Sequence, residues 1–456
     1  MSDVEALPVK KGRICGTANI QLTPENMAEL GAALGTLLGE GSLVVTARDY
    51  YPPSRMLKRA FSSGLMSAGI TVMDFHGATL PELAFSIKRF GAKAGIQFTV
   101  SPFRENNINL KILDSTGAEF TYDRLNELLR LYETKHIIRT IPKRIGWVSY
   151  AEYIHDIYVA SLTSFLDIDP ILSFSPRVVV DSNFGPSSAV LPDFLSEIGV
   201  NHITLNSHKP PIHRSVSHLP PIESLFTLSK IVTAAGAQLG AAFSADASRI
   251  VLIDDRGKIL TPDEITAIII KFLPENSRIA VSYTMSKLID KVAEQRKIKV
   301  SRVKGLIGDI SKHIRRIRAI FGATDGGEFI FPHFSIAPDA LLTLGKIIES
   351  LSISEVNLSK VKNELPSVER YSVEINLGET TPSMFTEYMV NNFEEIILSI
   401  SGIKIVVKDT CIYIDFIPQR NKIKLSVEEP SGYKINILRE IADNLKRDLE
   451  TLPQLY

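Results

Sequence analysis

The chain of 456 residues is too long for one ordinary hydrophobic core and predicts about three or four domains. Its 51 Lys and Arg residues balance its 51 Asp and Glu residues, so no global charge draws it to nucleic acid or to an anionic membrane. The two cysteines, Cys15 and Cys411, give neither a metal-ligand spacing nor a disulfide framework, and no apolar run approaches the roughly 20 residues of a membrane-spanning helix. We therefore expect a cytoplasmic protein with no nucleic-acid or membrane partner.

The first third of the sequence alternates short apolar strands with amphipathic helices. Strands are predicted at 42–46, 70–74 and 94–100, and helices at 54–68 and 81–90. In the first helix, apolar residues recur every three or four positions, which is the spacing of one buried face. Strands that alternate with helices in this way are typical of a parallel sheet covered by helices.

The same alternation begins again twice, and the C-terminal part differs. The second unit has strands at 177–181, 202–205 and 250–253 and a helix at 189–198. The third has helices at 263–273 and 286–295 and strands at 278–281 and 299–303. The last elements are strands at 371–376, 404–408, 411–416 and 422–427, a helix at 386–397 and a charged helix that ends near residue 452. These patterns predict three similar mixed α/β sheet domains, at 1–150, 151–257 and 258–362, and a smaller C-terminal α+β domain at 363–456.

Short motifs occur in a fixed order through these domains. Segment 97–120 contains T-x-S at 99–101 and K-x-x-D-x-x-G at 111–117. The remaining motifs are L-T-P-E at 22–25, A-R-D at 47–49, D-S-N-F-G at 181–185, F-S-A-D-A-S-R at 243–249 and F-G-A-T-D-G-G-E-F-I-F at 321–331. In this order and at these distances the motifs resemble those of the α-D-phosphohexomutases, and the resemblance covers nearly the whole chain.

The resemblance implies four domains around a central cleft and transfer of a phosphoryl group between hydroxyls of a hexose. In that family a loop serine carries the phosphoryl group, which gives Ser101 the role of carrier. Lys111, Arg48 and Arg249 fall at positions that would stabilise charge during the transfer. Pro102 follows Ser101 where the family has histidine, so a simple turn residue at the end of a strand stays an alternative for Ser101.

The family binds Mg²⁺ through three aspartates in a loop that aligns with 243–249. Only Asp246 of this set is present, because Ser244 and Ser248 occupy the other two places. Mg²⁺ prefers carboxylate oxygens in octahedral array, and two neutral hydroxyls do not replace two negative charges. We expect Mg²⁺ to be needed only if the protein is active, and no tightly bound metal otherwise. Arg249 could then pair with Asp246.

The loop that would recognise the sugar lies at 321–331. In an ungapped alignment Thr324 falls at the glutamate of the family motif, G-E-x-S-G-H, and Glu328 falls at its histidine. A shifted register makes Gly327 and Glu328 the family's G-E instead. Thr324, Gly327 and Glu328 are therefore the candidate substrate-binding residues, and an ordinary turn at D-G-G is the structural alternative.

The family's phosphate loop aligns with residues 415–421. There Asp415 replaces the arginine of the family motif and would repel a phosphate. Arg420 and Lys422, with Lys424 beside them, could compensate by binding the phosphate. The alternative is a solvated strand face.

Four histidines, His202, His208, His213 and His218, lie close together in sequence and raise the alternative of a metal cluster. No cysteine or carboxylate set accompanies them, so surface histidines are the favoured interpretation.

The sequence thus predicts a phosphohexomutase-like protein that lacks efficient mutase activity and acts as a sugar-phosphate-binding or regulatory homologue. Its expected partners are a hexose phosphate and either an active mutase homologue or a second copy in a homodimer. The alternative is an active phosphosugar mutase with altered specificity, which uses Ser101 as its phosphoryl carrier. A third possibility is a different chemistry in the remodelled cleft, for which the sequence names no residues.

Overall fold

The fold is given by a computed structural model, which describes residues 7–10, 12–102, 107–151, 153–210, 217–399, 402–417 and 421–451. Its strands form four sheets that follow one another along the chain. We number the four sheets and the helices that cover them as units I to IV.

Unit I is a mixed α/β sheet. Its strands are β1 (Val9–Lys10), β2 (Arg13–Thr17), β3 (Leu43–Arg48), β4 (Thr71–Gly77), β5 (Ala94–Val100), β6 (Asn107–Asp114) and β7 (Val148–Tyr150). Its helices are α1 (Pro24–Leu38), α2 (Pro52–Ser67), α3 (Leu80–Phe90) and α4 (Tyr122–Glu133). The strand order is β1-β2-β6-β5-β3-β4-β7, in which β3, β4, β5 and β7 are parallel and β6 is antiparallel to β5 and β2. The parallel strands predicted from the sequence therefore form the central part of the unit I sheet.

Unit II contains a four-stranded sheet. Its elements are α5 (Ile154–Ser164), α6 (Ile168–Phe174), β8 (Arg177–Asp181), α7 (Ser187–Glu197), β9 (Asn201–Leu205), α8 (Ile222–Ala234), β10 (Leu239–Phe243) and β11 (Ile250–Asp254). The order is β11-β10-β8-β9, with β11 antiparallel to β10. The loop between β10 and β11 is the predicted metal loop.

Unit III repeats this plan. Its elements are α9 (Pro262–Phe272), β12 (Arg278–Ser282), α10 (Leu288–Gln295), β13 (Lys299–Val303), α11 (Ile307–Ile317), β14 (Phe321–Ala323), β15 (Phe329–Ile330), α12 (Ala340–Ser354) and α13 (Leu358–Asn363). The order is β13-β12-β14-β15, and the predicted sugar loop is the tight turn between β14 and β15. Buried side chains of units II and III form one continuous core, which includes Phe194, Leu252, Ile268 and Leu344.

Unit IV is an antiparallel sheet with helices. Its elements are β16 (Arg370–Asn376), α14 (Pro382–Asn392), β17 (Ile396–Leu398), β18 (Gly402–Val407), β19 (Thr410–Ile417), β20 (Lys422–Glu428) and α15 (Gly432–Thr451), in the strand order β16-β20-β19-β18-β17. The predicted helix at 386–397 is wrong in its last part. Residues Ile396–Leu398 form a strand instead, because this apolar run pairs with Ile403–Ile405 of β18.

In the parts of the chain that the structure describes, no single helix is both long and apolar enough to cross a bilayer. The pair α5 and α6 meets the length and composition requirement only together, and the two are bent by 86° at their junction.

Candidate functional site

The predicted phosphoryl carrier, Ser101, follows directly after β5 and is buried. Its backbone N–H donates to the carbonyl of Asn107, 2.8 Å away, at the start of β6. Its Oγ lies 3.0 Å from Cys15 Sγ on β2. The serine thus sits at the end of the central strand of unit I, enclosed by the neighbouring strands.

Lys111 connects unit I with unit II. It lies on β6, is fully buried, and places its Nζ 2.6 Å from Oδ2 of Asp246. The same ammonium donates to Oγ of Ser248 at 2.9 Å. Burial alone would raise the pKa of Asp246, but the Lys111 ammonium holds that pKa well below its ordinary value. The counter-ion of the Asp246 carboxylate is therefore the ammonium group of Lys111.

The remaining oxygen of Asp246 is also occupied. Its Oδ1 accepts hydrogen bonds from Ser244 Oγ at 2.9 Å, from Ser248 Oγ at 2.8 Å and from the Ser248 N–H at 3.1 Å. Arg249 N–H in turn donates to Ser244 Oγ at 3.0 Å. The two serines that stand at the family's aspartate positions therefore act as donors to Asp246.

These residues do not fit a divalent cation. Mg²⁺ needs several oxygen lone pairs, whereas this loop offers one carboxylate, whose Oδ1 already accepts three hydrogen bonds and whose Oδ2 lies 2.6 Å from the Lys111 ammonium. Within the described ranges no group of three or more His, Cys, Asp or Glu residues is placed to hold a metal. The prediction of Asp246 as a weak metal ligand, with Ser244 and Ser248 beside it, has no support in this geometry.

His218 lies against the same carboxylate. Its Nε2 is 3.9 Å from Asp246 Oδ1, and the ring is completely buried. Burial, with the nearby cations, lowers the pKa of His218 to about 3, so the imidazole is neutral at physiological pH. The favoured interpretation of His218 as a surface histidine is wrong. His202 and His208 are not buried, and His213 lies outside the described residues.

Glu328 of unit III is the second acid of the site. Arg249 Nε lies 3.4 Å from its Oε1, and Arg13 Nη2 lies 3.6 Å from the same oxygen. Thr324 Oγ1 donates to the other oxygen at 2.9 Å. Although burial opposes it, the two arginines lower the pKa of Glu328 to about 2. Arg249 therefore pairs with Glu328, where the sequence had suggested Asp246.

A second acid neutralises Arg13. The guanidinium makes two hydrogen bonds to Glu119, of 3.0 and 2.7 Å. The buried and part-buried ionic groups that link the first three units are Arg13, Lys111, Arg249, Glu119, Asp246 and Glu328, and we call them the central cluster. Its three cations and three carboxylates cancel, so the cluster has no excess positive charge for a phosphate.

The other predicted charge stabiliser, Arg48, lies at the end of β3. Its Nη1 donates to the carbonyl of Asp49 at 2.6 Å. The Asp49 carboxylate accepts the N–H groups of Tyr51 and Val100 at 3.0 and 2.7 Å, and so fixes the end of β5 just before Ser101. Arg48 is thus close in space to the end of β5, where it pairs with Phe98, and its guanidinium is engaged by a backbone carbonyl.

The predicted sugar loop is a closed turn. The Gly327 N–H donates to the carbonyl of Thr324 at 3.2 Å, and Gly327 has a φ of +82°, which a side chain would strain. The side chain of Asp325 in this turn forms a buried ion pair with Lys404 on β18, and Lys404 also bonds Asp263 at 2.8 Å. The turn therefore docks unit IV onto unit III.

The described residues on either side of the predicted phosphate loop belong to two paired strands, β19 and β20. Asp415 pairs with Lys424 across β19 and β20, and the pairing continues to Ile417 and Lys422. The Lys422 ammonium lies 3.1 Å from Glu374 on β16. Arg420 lies outside the described residues. Lys422 is therefore already neutralised on an exposed strand face.

Sequence reasoning missed Arg13, Glu119, His218 and Lys404. Arg13 and Lys404 stand in strands with no motif around them, and their partners lie in distant parts of the chain. Only His218 was noticed in the sequence, because it lies in the histidine-rich segment. There it was predicted to be at the surface, whereas the structure buries it.

Three α/β units that meet at the central cluster, with an antiparallel fourth unit docked on the third, form a four-domain α/β architecture. The chain belongs to the phosphoglucomutase/phosphomannomutase family. It matches α/β/α domain I of that family over residues 9–137, domain II over 156–257 and domain III over 261–368.

Individual relatives support this placement. A protein of Pyrococcus furiosus named "Probable phosphoglucosamine mutase" is 30% identical over 415 residues, which are 86% of this chain and 88% of that protein. A phosphoglucomutase/phosphomannomutase of Thermococcus kodakarensis is 31% identical over 360 residues, with coverage of 77% and 78%. The crystal structure of a phosphoglucomutase/phosphomannomutase family protein from Burkholderia thailandensis superposes with a TM-score of 0.73 at 19% identity, covering 97% of each chain.

Proposed function

We propose that this chain is a phosphohexomutase homologue without efficient mutase activity, which serves as a sugar-phosphate-binding or regulatory protein. The observation that carries the proposal is the buried pair of Lys111 and Asp246. It places an internal ammonium against the only aspartate of the loop that binds Mg²⁺ in the family.

The electrostatics of the site support the same proposal. Phosphoryl transfer depends on positioned positive charge that stabilises the transferring group. Here each cation of the central cluster faces a carboxylate of the same chain. A phosphate dianion that entered would have to displace these ion pairs before it met any net positive charge. Weak binding of a hexose phosphate is compatible with that competition, whereas efficient turnover is not.

The second candidate is an active phosphosugar mutase with altered specificity. Two observations favour it: Ser101 keeps its hydroxyl at the end of β5, and the similarity to the Pyrococcus protein extends over 86% of the chain. That protein's name points to glucosamine phosphates as the first substrates to try. In this case Ser101 would carry the phosphoryl group, and Mg²⁺ would be supplied in the assay.

The test is a mutase assay with glucose 1-phosphate, mannose 1-phosphate and glucosamine 1-phosphate, each with Mg²⁺ and a hexose 1,6-bisphosphate. Ser101→Ala is the matched control, and intact-mass spectrometry of the purified chain looks for a phosphoryl group on Ser101. We expect no turnover and no added phosphate. Turnover that Ser101→Ala abolishes would establish the second candidate instead.

A further inference from the structure

Basic residues are concentrated in one stretch of unit III. Residues 296–318 contain nine Lys and Arg residues and one acid, Asp309, although the whole chain has as many acidic as basic residues. The stretch begins directly after α10 and includes β13 and all of α11. A local excess of this size gives one face of a neutral protein a positive potential.

Four of the nine cations are neutralised by acids of the same chain. The other five, together with Arg278 at the start of β12, are exposed and form no ion pair within the residues that the structure describes. The four neutralising pairs are Arg296–Glu275, Arg302–Asp290, Lys304–Glu395 and Arg315–Asp114, with N···O distances of 2.6–4.0 Å. We call the six exposed cations the basic face: Arg278, Lys297, Lys299, Lys312, Arg316 and Arg318.

The fold brings the members of the basic face together from three elements. Arg278 and Lys299 are neighbours in the parallel pairing of β12 with β13. Arg278 Nη1 donates to the carbonyl of Ile317 at 3.3 Å, which places this guanidinium at the C-terminal end of α11, next to Arg318. Lys297 precedes β13 by two residues. The cations at the starts of two strands therefore lie at the same end of unit III as those at the end of α11.

A histidine fixes one of the helix cations. The Arg316 guanidinium donates to Nδ1 of His313 at 2.9 Å, so the ring proton is on Nε2 and donates to Ser301 Oγ on β13, 2.6 Å away. Burial, with Arg316, lowers the pKa of His313, which favours the neutral ring that these bonds require. Ser301 and Lys299 point to the same side of β13. Lys312 lies one turn before Arg316, so the helix and the strand present their cations on one continuous surface.

The basic face has no apolar anchor. None of the thirteen exposed large hydrophobic residues in the described chain lies between residues 204 and 352. Protein interfaces have apolar centres from which lysine is depleted, and membrane-surface segments insert apolar side chains beside their cations. Single-stranded nucleic acid is bound largely by stacking on aromatic rings. Interfaces with duplex nucleic acid are instead polar and strongly positive, which is the character of this face.

The dimensions of the basic face also suit a row of phosphates. From Lys312 to Arg318 the helix rises roughly 9 Å, at about 1.5 Å per residue. A DNA duplex carries one negative charge per roughly 1.7 Å of its axis, so a face of this length can meet several phosphates at once. Cations at a helix C-terminus also stabilise the helix dipole, but that role accounts only for Arg316 and its helix neighbours and not for the cations that begin β12 and β13.

We propose that the basic face binds the phosphate backbone of double-helical nucleic acid without sequence preference. Contacts from Lys and Arg to phosphate oxygens position a protein on the duplex and carry no sequence information. The proposal departs from the expectation based on total charge, because binding depends on the local charges and not on their sum over the chain. It is independent of whether the protein turns over a sugar phosphate, since the basic face shares no residue with the central cluster.

A salt titration tests the proposal. A short fluorescein-labelled DNA duplex of mixed sequence is titrated with the full chain at several salt concentrations, and fluorescence anisotropy gives the Kd. We expect a Kd of about 10⁻⁶–10⁻⁴ M near physiological salt. The logarithm of the binding constant should fall linearly with the logarithm of the salt concentration, with a slope near about −5, because each of six neutralised phosphates contributes about −0.9.

The variant that tests the assignment is Lys312→Gln with Arg316→Gln. Loss of two phosphate contacts should make the slope smaller in magnitude by about 2 and raise the Kd at least about tenfold. The matched control is Lys88→Gln with Arg89→Gln, which removes one lysine and one arginine from the exposed last turn of α3 and should bind as the wild type does. Circular dichroism checks that both double variants fold.

Three outcomes would overturn the proposal. The first is a wild-type chain that does not bind the duplex even at low salt. The second is equal binding by the two double variants, which would place the contact elsewhere on the molecule. The third is a stronger response to another polyanion: polyglutamate at equal charge would assign the basic face to an acidic protein, and vesicles of phosphatidylserine and phosphatidylcholine would assign it to a membrane.

Discussion

Lys111 and Asp246 form a buried ion pair, with 2.6 Å between Nζ and Oδ2, that joins the first and second sheet units. Both residues fall at positions where the family has functional groups, and here they satisfy each other. Their mutual neutralisation explains how two serines can replace two aspartates in the loop without leaving a buried charge unpaired. The pair thus makes the loop a structural element between two units.

Replacing one partner should therefore cost stability. Lys111→Met leaves the Asp246 carboxylate buried without its counter-ion, and we expect a loss of about 3–5 kcal/mol in the free energy of unfolding. Chemical denaturation, monitored by circular dichroism, measures this loss in the free energy of unfolding. The double variant Lys111→Met with Asp246→Leu should recover most of the loss, because no charge is then left unpaired. A single variant as stable as the wild type would contradict the structural role.

Mg²⁺ should have no effect on the stability of the wild-type chain. A ligand that binds only the folded state stabilises it by RT ln(1 + [L]/Kd), which is about 1.4 kcal/mol when the ligand is at about tenfold its Kd. We expect equal unfolding midpoints in about 10 mM Mg²⁺ and in a chelator. The triple variant Ser244→Asp, Ser248→Asp and Lys111→Ala restores acidic ligands and removes the competing ammonium. The triple variant should gain stability when Mg²⁺ is added. A gain in stability of the wild type would contradict our conclusion that its loop does not bind Mg²⁺.

The sequence predicted secondary structure well where a local pattern was strong. Strands at 94–100, 177–181 and 299–303 were predicted with the bounds that the structure shows, because short runs of β-branched residues define them. The end of the helix at 386–397 was mispredicted, since pairing of Ile396–Leu398 with β18 outweighed helical periodicity.

For the candidate site, too, the sequence predicted only the features that a local pattern defines. The positions of Ser101, Lys111 and Asp246 could be found by motif, because each motif is contiguous in sequence. The contact between Lys111 and Asp246 could not, because the two residues are 135 positions apart and only the packing of two units brings them together. The burial of His218 escaped prediction for the same reason.

Unit IV should loosen when its buried lysine is removed. Lys404 bonds Asp263 and Asp325 of unit III, and Lys404→Met would leave two buried carboxylates facing each other. We expect a loss of about 3–5 kcal/mol in stability and faster hydrogen exchange in β18, β19 and β20. Hydrogen-exchange mass spectrometry measures the second effect.

A control lies nearby on the chain. Lys408 pairs with Glu440 at the surface, so Lys408→Met should leave exchange in the same strands unchanged. If Lys404→Met also left hydrogen exchange in these strands unchanged, the ion pairs of Lys404 would have no part in docking unit IV.

The pH dependence of stability should contain a contribution from Asp339, the N-cap of α12. Tyr158 Oη lies 2.9 and 2.8 Å from its two oxygens, and the Leu342 N–H donates to Oδ1 at 2.9 Å. Burial nevertheless raises the pKa of Asp339 to about 6, against about 3.9 in an unfolded chain. Because the folded state holds the proton more tightly, the contribution to stability is complete below about pH 4 and is lost as the pH rises through about 6.

The loss amounts to at most about 3 kcal/mol, since each pKa unit corresponds to about 1.4 kcal/mol. Asp339→Asn has no such titration, so the wild type should lose up to that amount relative to the variant between about pH 4 and pH 7. Tyr158→Phe removes a donor that favours the charged carboxylate and should move the loss to higher pH. Urea unfolding of the three proteins over this pH range makes the comparison. Parallel stability curves for wild type and Asp339→Asn would show that the carboxyl titrates alike in the folded and unfolded chains.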